Sequence, residues 1–206
     1  MTARTRTDRT AVQAGGAAAL TLAGLAGLHL EDQVNPKRCG HFSGKEVIET
    51  SEMIGKIKAA CDARRNPETL IMARTDAAAI HGFEAAVQRA QAYADAGADI
   101  LFVEAVTDSA HIRALPQRLQ TPQLMNMVIG GKTPITSTTE LADMGYGIVL
   151  YANAALQGAV VGIQNALQHL QATHALHENS GLVATFQARQ HLVRKESWDA
   201  LEKRYE

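Results

Sequence analysis

The chain has 206 residues, enough for one domain with a real core, a formal net charge of −1 and only 4% aromatic residues. Such a balance leaves no basic surface for nucleic acid or an anionic membrane, so neither is an expected partner. Cys39 and Cys61 are too few for a disulfide framework and suit a reducing cytoplasm.

At the N-terminus, Arg4, Arg6 and Arg9 precede an Ala/Gly/Leu run over residues 11–30. Leader peptides share this layout. Here glycines dilute the run, which is too weakly apolar for a spanning helix, and it leads into His29-Leu30-Glu31-Asp32 with no clean cleavage site. Residues 1–24 are therefore set apart as an atypical segment, and residues 25–206 read as one catalytic domain with a helical tail.

From residue 25 onward, short apolar runs alternate with amphipathic stretches. Strands are predicted at Leu25–Leu30, Thr69–Ala73, Ile100–Val103, Gln123–Met127 and Ile148–Tyr151, each buried on both faces as parallel strands are. Phe83, Val87, Ala90 and Tyr93 mark one face of a helix closing at Gly97. Leu115 and Leu119 belong to another, and Thr138 or Thr139 caps a short one ending at Gly145. Residues 154–177 read as one long helix and residues 182–205 as a second, which is expected to dock on a neighbouring subunit. Strand–helix alternation implies a parallel α/β sheet. Glu31, Arg74, Glu104 and Asn126 all fall at strand C-termini, the face that carries the site in such folds. Five units are fewer than the eight of a complete barrel of about 250 residues, so the expected fold is an incomplete (β/α)8 barrel lacking about three N-terminal units, or an open sheet.

The densest chemistry lies in His29-Leu30-Glu31-Asp32-Gln33-Val34-Asn35-Pro36-Lys37-Arg38-Cys39-Gly40-His41. The strand end delivers a carboxylate pair, and a Pro-stiffened loop presents Lys, Arg, Cys and His. Nearby positive charge favours the Cys39 thiolate, and Gly40 lets backbone N–H groups approach an anion. Zinc ligation by Cys39 and His41 lacks a second ligand pair, and a Cys–His hydrolase needs geometry that adjacency does not provide. Arg74 either clamps an anionic ligand or pairs with Asp76. Gly130-Gly131-Lys132-Thr133-Pro134 lacks the first glycine of a phosphate loop. Cys61 follows an apolar helical pattern and reads as core. His81, His111, His174, His177 and His191 read as surface residues.

The segment LHLEDQVNPKRCGH (residues 28–41) resembles the isocitrate lyase/phosphoenolpyruvate mutase superfamily. So do MARTDA (72–77), FVEA (102–105), NMVIGGKTP (126–134) and ELADMGYGIVLY (140–151), in the same order. The resemblance implies an α/β barrel with a swapped C-terminal helix, a tetramer, and Mg²⁺ (or Mn²⁺) dependence. It implies retro-aldol cleavage of a 2-hydroxy di- or tricarboxylate, with carboxyphosphonoenolpyruvate-type phosphonomutase as the alternative and an inactive fragment as a third reading. By position, Glu31 matches the metal-holding acid and Cys39 the proton donor. Lys37, Gly40 and His41 match carboxylate-binding and proton-tuning positions, His41 and Glu104 being grouped with the catalytic residues. Arg74 and Asn126 match substrate-anion contacts, and Glu104 a supporting buried carboxylate. Thr133 and Pro134 match the pocket wall. The family's earlier Asp-x-Asp metal motif has no counterpart in residues 1–24.

Overall fold

The computed structural model describes residues 16–20, 24–38 and 44–205. The chain divides between Ala152 and Asn153 into two compact units.

In the first unit five strands form one sheet: β1 (Gly27–Glu31), β2 (Leu70–Thr75), β3 (Ile100–Val103), β4 (Gln123–Asn126) and β5 (Ile148–Leu150). Their spatial order is β1-β2-β3-β4-β5, and every neighbouring pair is parallel. Parallel neighbours need long crossovers. These carry helices α1 (Thr50–Ala63), α2 (Ala78–His81), α3 (Phe83–Asp95), α4 (Ser109–Arg118) and α5 (Thr138–Met144). The result is α/β architecture, a partial (β/α) barrel. Burial on both faces holds for β3 and β4, whose residues are all buried. It fails for β1, β2 and β5, where Leu70, Ile148 and Leu150 remain exposed.

Strand alternation sorts side chains into two layers. On the outer face, Ala73, Leu101, Val103 and Met125 pack in one core with Met53 and Ile57 of α1, Val87, Ala90 and Tyr93 of α3, and Ile112 and Leu115 of α4. Each such Ile or Leu stabilises the unit by about 1.5–3 kcal/mol. On the inner face, Met72, Ile100, Phe102 and Leu124 form a separate small cluster. Two residues further along, the inner face turns polar at Arg74, Glu104 and Asn126.

Local rules explain the helix ends. Ser137, one residue before the predicted cap, starts α5 through a capping box with Glu140, and Gly145 ends it in the left-handed region. Pro116 inside α4 has no N–H for the carbonyl of Ile112, and the Tyr146 hydroxyl donates to that carbonyl instead at 2.7 Å. Gln123 Nε2 likewise donates to the carbonyls of Leu115 and Leu119 at the end of α4.

The second unit contains α6 (Ala154–Thr173), a 3₁₀ turn at Glu178–Ser180, α7 (Phe186–Leu192) and α8 (Lys195–Tyr205). The long predicted helix stops four residues early, where His174 takes a left-handed conformation. The second predicted helix is two, broken beside Arg194 at φ 55°. Leu156, Val160, Ile163, Leu167 and Leu170 recur at helical spacing on α6 and are exposed. No described helix is long and apolar enough to cross a membrane.

Candidate active site

Parallel register sets Glu31 beside Arg74 and Arg74 beside Phe102. The Arg74 guanidinium lies over the Phe102 ring, 5.0 Å from its centroid. Arg74 Nε and Nη2 donate to Asp76 Oδ2 and Oδ1 at 2.9 and 3.2 Å. Its Nη1 meets Glu104 Oε2 at 2.9 Å, and Nε lies 3.4 Å from Glu31 Oε2. Burial pushes Arg74 down, but its bonds to Asp76 and the charges of Glu104, Asp76 and Glu31 more than offset this and hold the guanidinium above its ordinary value. Arginine has five N–H donors. Asp76 and Glu104 take three, which leaves two for a ligand among the described residues. Of the two alternatives read from the sequence, the pairing of Arg74 with Asp76 is present.

Around this centre Lys37 Nζ reaches Glu31 Oε1 at 2.9 Å. Glu104, 2% exposed, accepts from the Ala105 N–H through Oε1 and from Asn126 Nδ2, at 3.4 Å, through Oε2. Asn126 is 8% exposed, and its Oδ1 has no hydrogen-bond partner among the described residues. Its amide N–H is turned to Glu104.

The carboxylate pair expected from Glu31-Asp32 does not form. Adjacent strand residues point to opposite faces, and Asp32, fully buried, lies on the helix side. Its Oδ2 accepts from Thr75 Oγ1 at 2.7 Å and Tyr93 Oη at 2.8 Å, and lies 3.4 Å from Arg89 Nη1. Its Oδ1 accepts from the Asp76 N–H at 3.0 Å. Asp32 thereby fixes the ends of β1 and β2 from behind. Period-two alternation was the available signal for this role.

Lys45, which sequence reasoning missed, is buried and places Nζ 3.0 Å from Asp76 Oδ1. Gln33 exchanges two hydrogen bonds with the Arg38 backbone, at 2.8 and 2.9 Å. An antiparallel bridge joins Gln33 to Val47. The segments flanking residues 39–43 are thus fastened to the sheet.

Cys39, Gly40 and His41 lie outside the described residues. The structure brings together Glu31, Lys37, Arg74, Glu104 and Asn126. Thr133, buried, and Pro134, half-buried, follow β4 on the loop turning at Gly130, outside the bonded network of the described residues. Cys61 is half-buried on α1, where its thiol donates to the Gly97 carbonyl at 3.3 Å. Burial raises that thiol's pKa, chiefly by desolvation. Among the described residues no three His, Cys, Asp or Glu side chains converge as metal ligands. Glu31 is the candidate, and its oxygens face Lys37 and Arg74. Magnesium takes one or two carboxylates together with water and substrate oxygens, so these residues alone do not make a magnesium site.

The described site is thus an arginine held among carboxylates at the carboxyl end of a parallel β/α arc, the face that carries the site in such folds. Residues 10–171 match the family model described as phosphoenolpyruvate phosphomutase, and the chain belongs to this phosphoenolpyruvate mutase/isocitrate lyase superfamily. It is 48% identical over 153 residues to a probable 2-methylisocitrate lyase 1 of Corynebacterium glutamicum, covering 72% of this chain and 49% of that protein. It is 43% identical to the 2,3-dimethylmalate lyase of Eubacterium barkeri, covering 71% and 52%. Among solved structures, 2,3-dimethylmalate lyase superposes with a TM-score of 0.81 at 34% identity, covering 92% of this chain and 64% of that one. Oxaloacetate acetylhydrolase superposes with a TM-score of 0.83 at 29% identity, covering 94% and 67%. A structure of phosphonopyruvate hydrolase, at 25% identity, is described as a complex with oxalate and Mg²⁺. The chain spans about half the length of the curated relatives it matches.

Proposed function

We propose that this chain carries the substrate-anchoring part of a carbon–carbon lyase for a 2-hydroxy di- or tricarboxylate of the alkylmalate or methylisocitrate type. The observation that carries this reading is Arg74, locked by Asp76 and Glu104 with two N–H donors left over on the inner face. That is a preorganised fork for a carboxylate, with little orientation left to lose on binding. The lyase names of relatives at 43–48% identity support it.

In the proposed reaction Arg74 holds the carboxylate next to the carbinol carbon. The hydroxyl loses its proton to a base and becomes a carbonyl as the C–C bond breaks. The bonding pair stays on the departing acid as an aci-carboxylate, which Cys39, with its proton tuned by His41, protonates at carbon. Lys37 and Gly40 add to the anion site, and Thr133 and Pro134 to its wall. Magnesium or manganese dependence belongs to the proposal, with Glu31 as this chain's contribution. So do a cytoplasmic setting and a homotetramer that exchanges C-terminal helices and covers the exposed apolar face of α6. Sedimentation velocity tests the assembly.

Incubation with 2-methylisocitrate and 2,3-dimethylmalate, with magnesium present, tests the chemistry by release of a 2-oxo acid. Formation of pyruvate or its homologue from one of them supports the lyase. No 2-oxo acid from either overturns it. The family model's phosphomutase description favours one second reading, rearrangement of a phosphoenolpyruvate-type ester, which ³¹P NMR would reveal as a new C–P resonance.

A further inference from the structure

We infer that Lys45 is a positioning residue for the Arg74 site: through Asp76 it supplies the buried countercharge that leaves Arg74 attractive to an incoming anion. The inference rests on the carboxylate-binding reading of Arg74 and adds the residue that keeps that arginine available.

Arg74 is surrounded by acid. Glu31, Asp76 and Glu104 all lie within ion-pair distance of its guanidinium. Three carboxylates on one cation would repel a further carboxylate. Two lysines offset them, Lys37 at Glu31 and Lys45 at Asp76. Asp32, another carboxylate at this end of the sheet, is matched by Arg89. Counted formally, the cluster of Glu31, Asp76, Glu104, Arg74, Lys37 and Lys45 is neutral, and without Lys45 it carries one negative charge.

The two lysines are not equivalent. The Lys37 side chain is 51% exposed, so water and salt screen its charge, whereas that of Lys45 is 2% exposed and acts through a medium of lower dielectric. Lys45 also shares an oxygen with the arginine. Asp76 Oδ1 accepts from Lys45 Nζ at 3.0 Å and from Arg74 Nη2 at 3.2 Å. The two cations are neighbours across a single atom.

Stability alone does not account for this placement. Desolvation cancels much of the attraction in a buried ion pair, and an apolar side chain of similar size is often as stable. The segment around Lys45 is moreover fastened by its backbone: the Val34 N–H donates to the Glu46 carbonyl at 2.9 Å, and the Ile48 N–H to the Asp32 carbonyl at 2.8 Å. What the ammonium adds is charge.

Calorimetric titration with malate and with its monoamide, in which a carboxamide replaces the carboxylate remote from the hydroxyl, tests this at one fixed magnesium concentration. The two ligands have nearly the same shape and differ by one charge. Relative to the wild-type chain, Lys45→Met is expected to bind malate about tenfold and the monoamide about threefold more weakly, because the electrostatic loss scales with the ligand's charge. Lys45→Gln, which keeps a donor for Asp76 and removes only the charge, should give the same split, and it decides the matter if Lys45→Met does not fold. Equal fold-losses for the two ligands would mean that Lys45 acts through shape alone and would overturn the inference while leaving the anion reading intact. Unchanged affinity for both ligands would do the same. Binding of neither ligand by the wild-type chain would overturn both.

Discussion

Lys45 Nζ lies 3.0 Å from Asp76 Oδ1, with the two side chains only 2% and 0% exposed, and Asp76 joins this ammonium to the Arg74 guanidinium. One buried carboxylate thus contacts two cations. Removing it takes two hydrogen bonds from Arg74, which keeps Glu104, and one from Lys45, whereas removing Lys45 leaves Asp76 still paired with Arg74. Asp76→Ala is expected to cost about 3–5 kcal/mol and Lys45→Met about 1–3 kcal/mol. Urea denaturation of both variants checks the order. Equal losses would contradict the arrangement.

The same carboxylate sets a pH dependence. Burial pushes Asp76 up, but the Arg74 hydrogen bond and charge, with those of Lys45, outweigh burial and hold it below the usual carboxylate range. A carboxyl depressed in the folded state adds stability that is fully present above its unfolded value of about 3.9. That stability is lost as pH falls through the lower folded value. Stability measured from pH 6 down to pH 2 should fall below about pH 4, and the part due to this site should be absent in Asp76→Ala.

Tyr93 donates to the buried Asp32 at 2.8 Å, while desolvation first and the Asp32 charge second push its phenol well above the ordinary value. The hydroxyl stays protonated and donating throughout the working range. Tyr93→Phe, which keeps the ring in the core, is expected to cost about 1.5–3 kcal/mol, the range for a bond to a charged group. Thermal unfolding checks it, and a loss below about 0.5 kcal/mol would show that Asp32 does not depend on this donor.

The strand–helix alternation was legible because β3 and β4 are short apolar runs closed by polar residues, and Glu31, Arg74, Glu104 and Asn126 stood out at strand ends for the same reason. Asp32 was misplaced because adjacency in sequence was read as adjacency in space, which strand pleating forbids. Lys45 was illegible. Gly44-Lys45-Glu46 looks like a solvated turn, and only the fold brings it to Asp76, thirty-one positions away. The break in the C-terminal helix carried no proline or glycine to announce it, since Val193 and Arg194 are ordinary residues in sequence. The orientation of Asn126 depends on Glu104, a tertiary partner that strand-end position alone does not reveal.

Gly145 ends α5 at φ 105°, and a Cβ built on it would lie 3.1 Å from Pro116 Cβ. Gly145→Ala meets both a left-handed backbone and a proline that cannot yield. A loss of about 1–3 kcal/mol is expected, read from the denaturation midpoint. A neutral result would mean that the turn between α5 and β5 relaxes without consequence.

The proposed function requires Arg74 to be an anion fork as well as a structural cation. Arg74→Lys keeps one positive charge among Glu31, Asp76 and Glu104 but abolishes the planar pair of donors. Calorimetric titration of malate into the wild-type chain and into Arg74→Lys, with circular dichroism confirming the fold of each, measures the difference directly. Saturable binding by the wild-type chain that weakens at least tenfold in the variant is the predicted result. Equal affinity in both, or none in the wild-type chain, would contradict it.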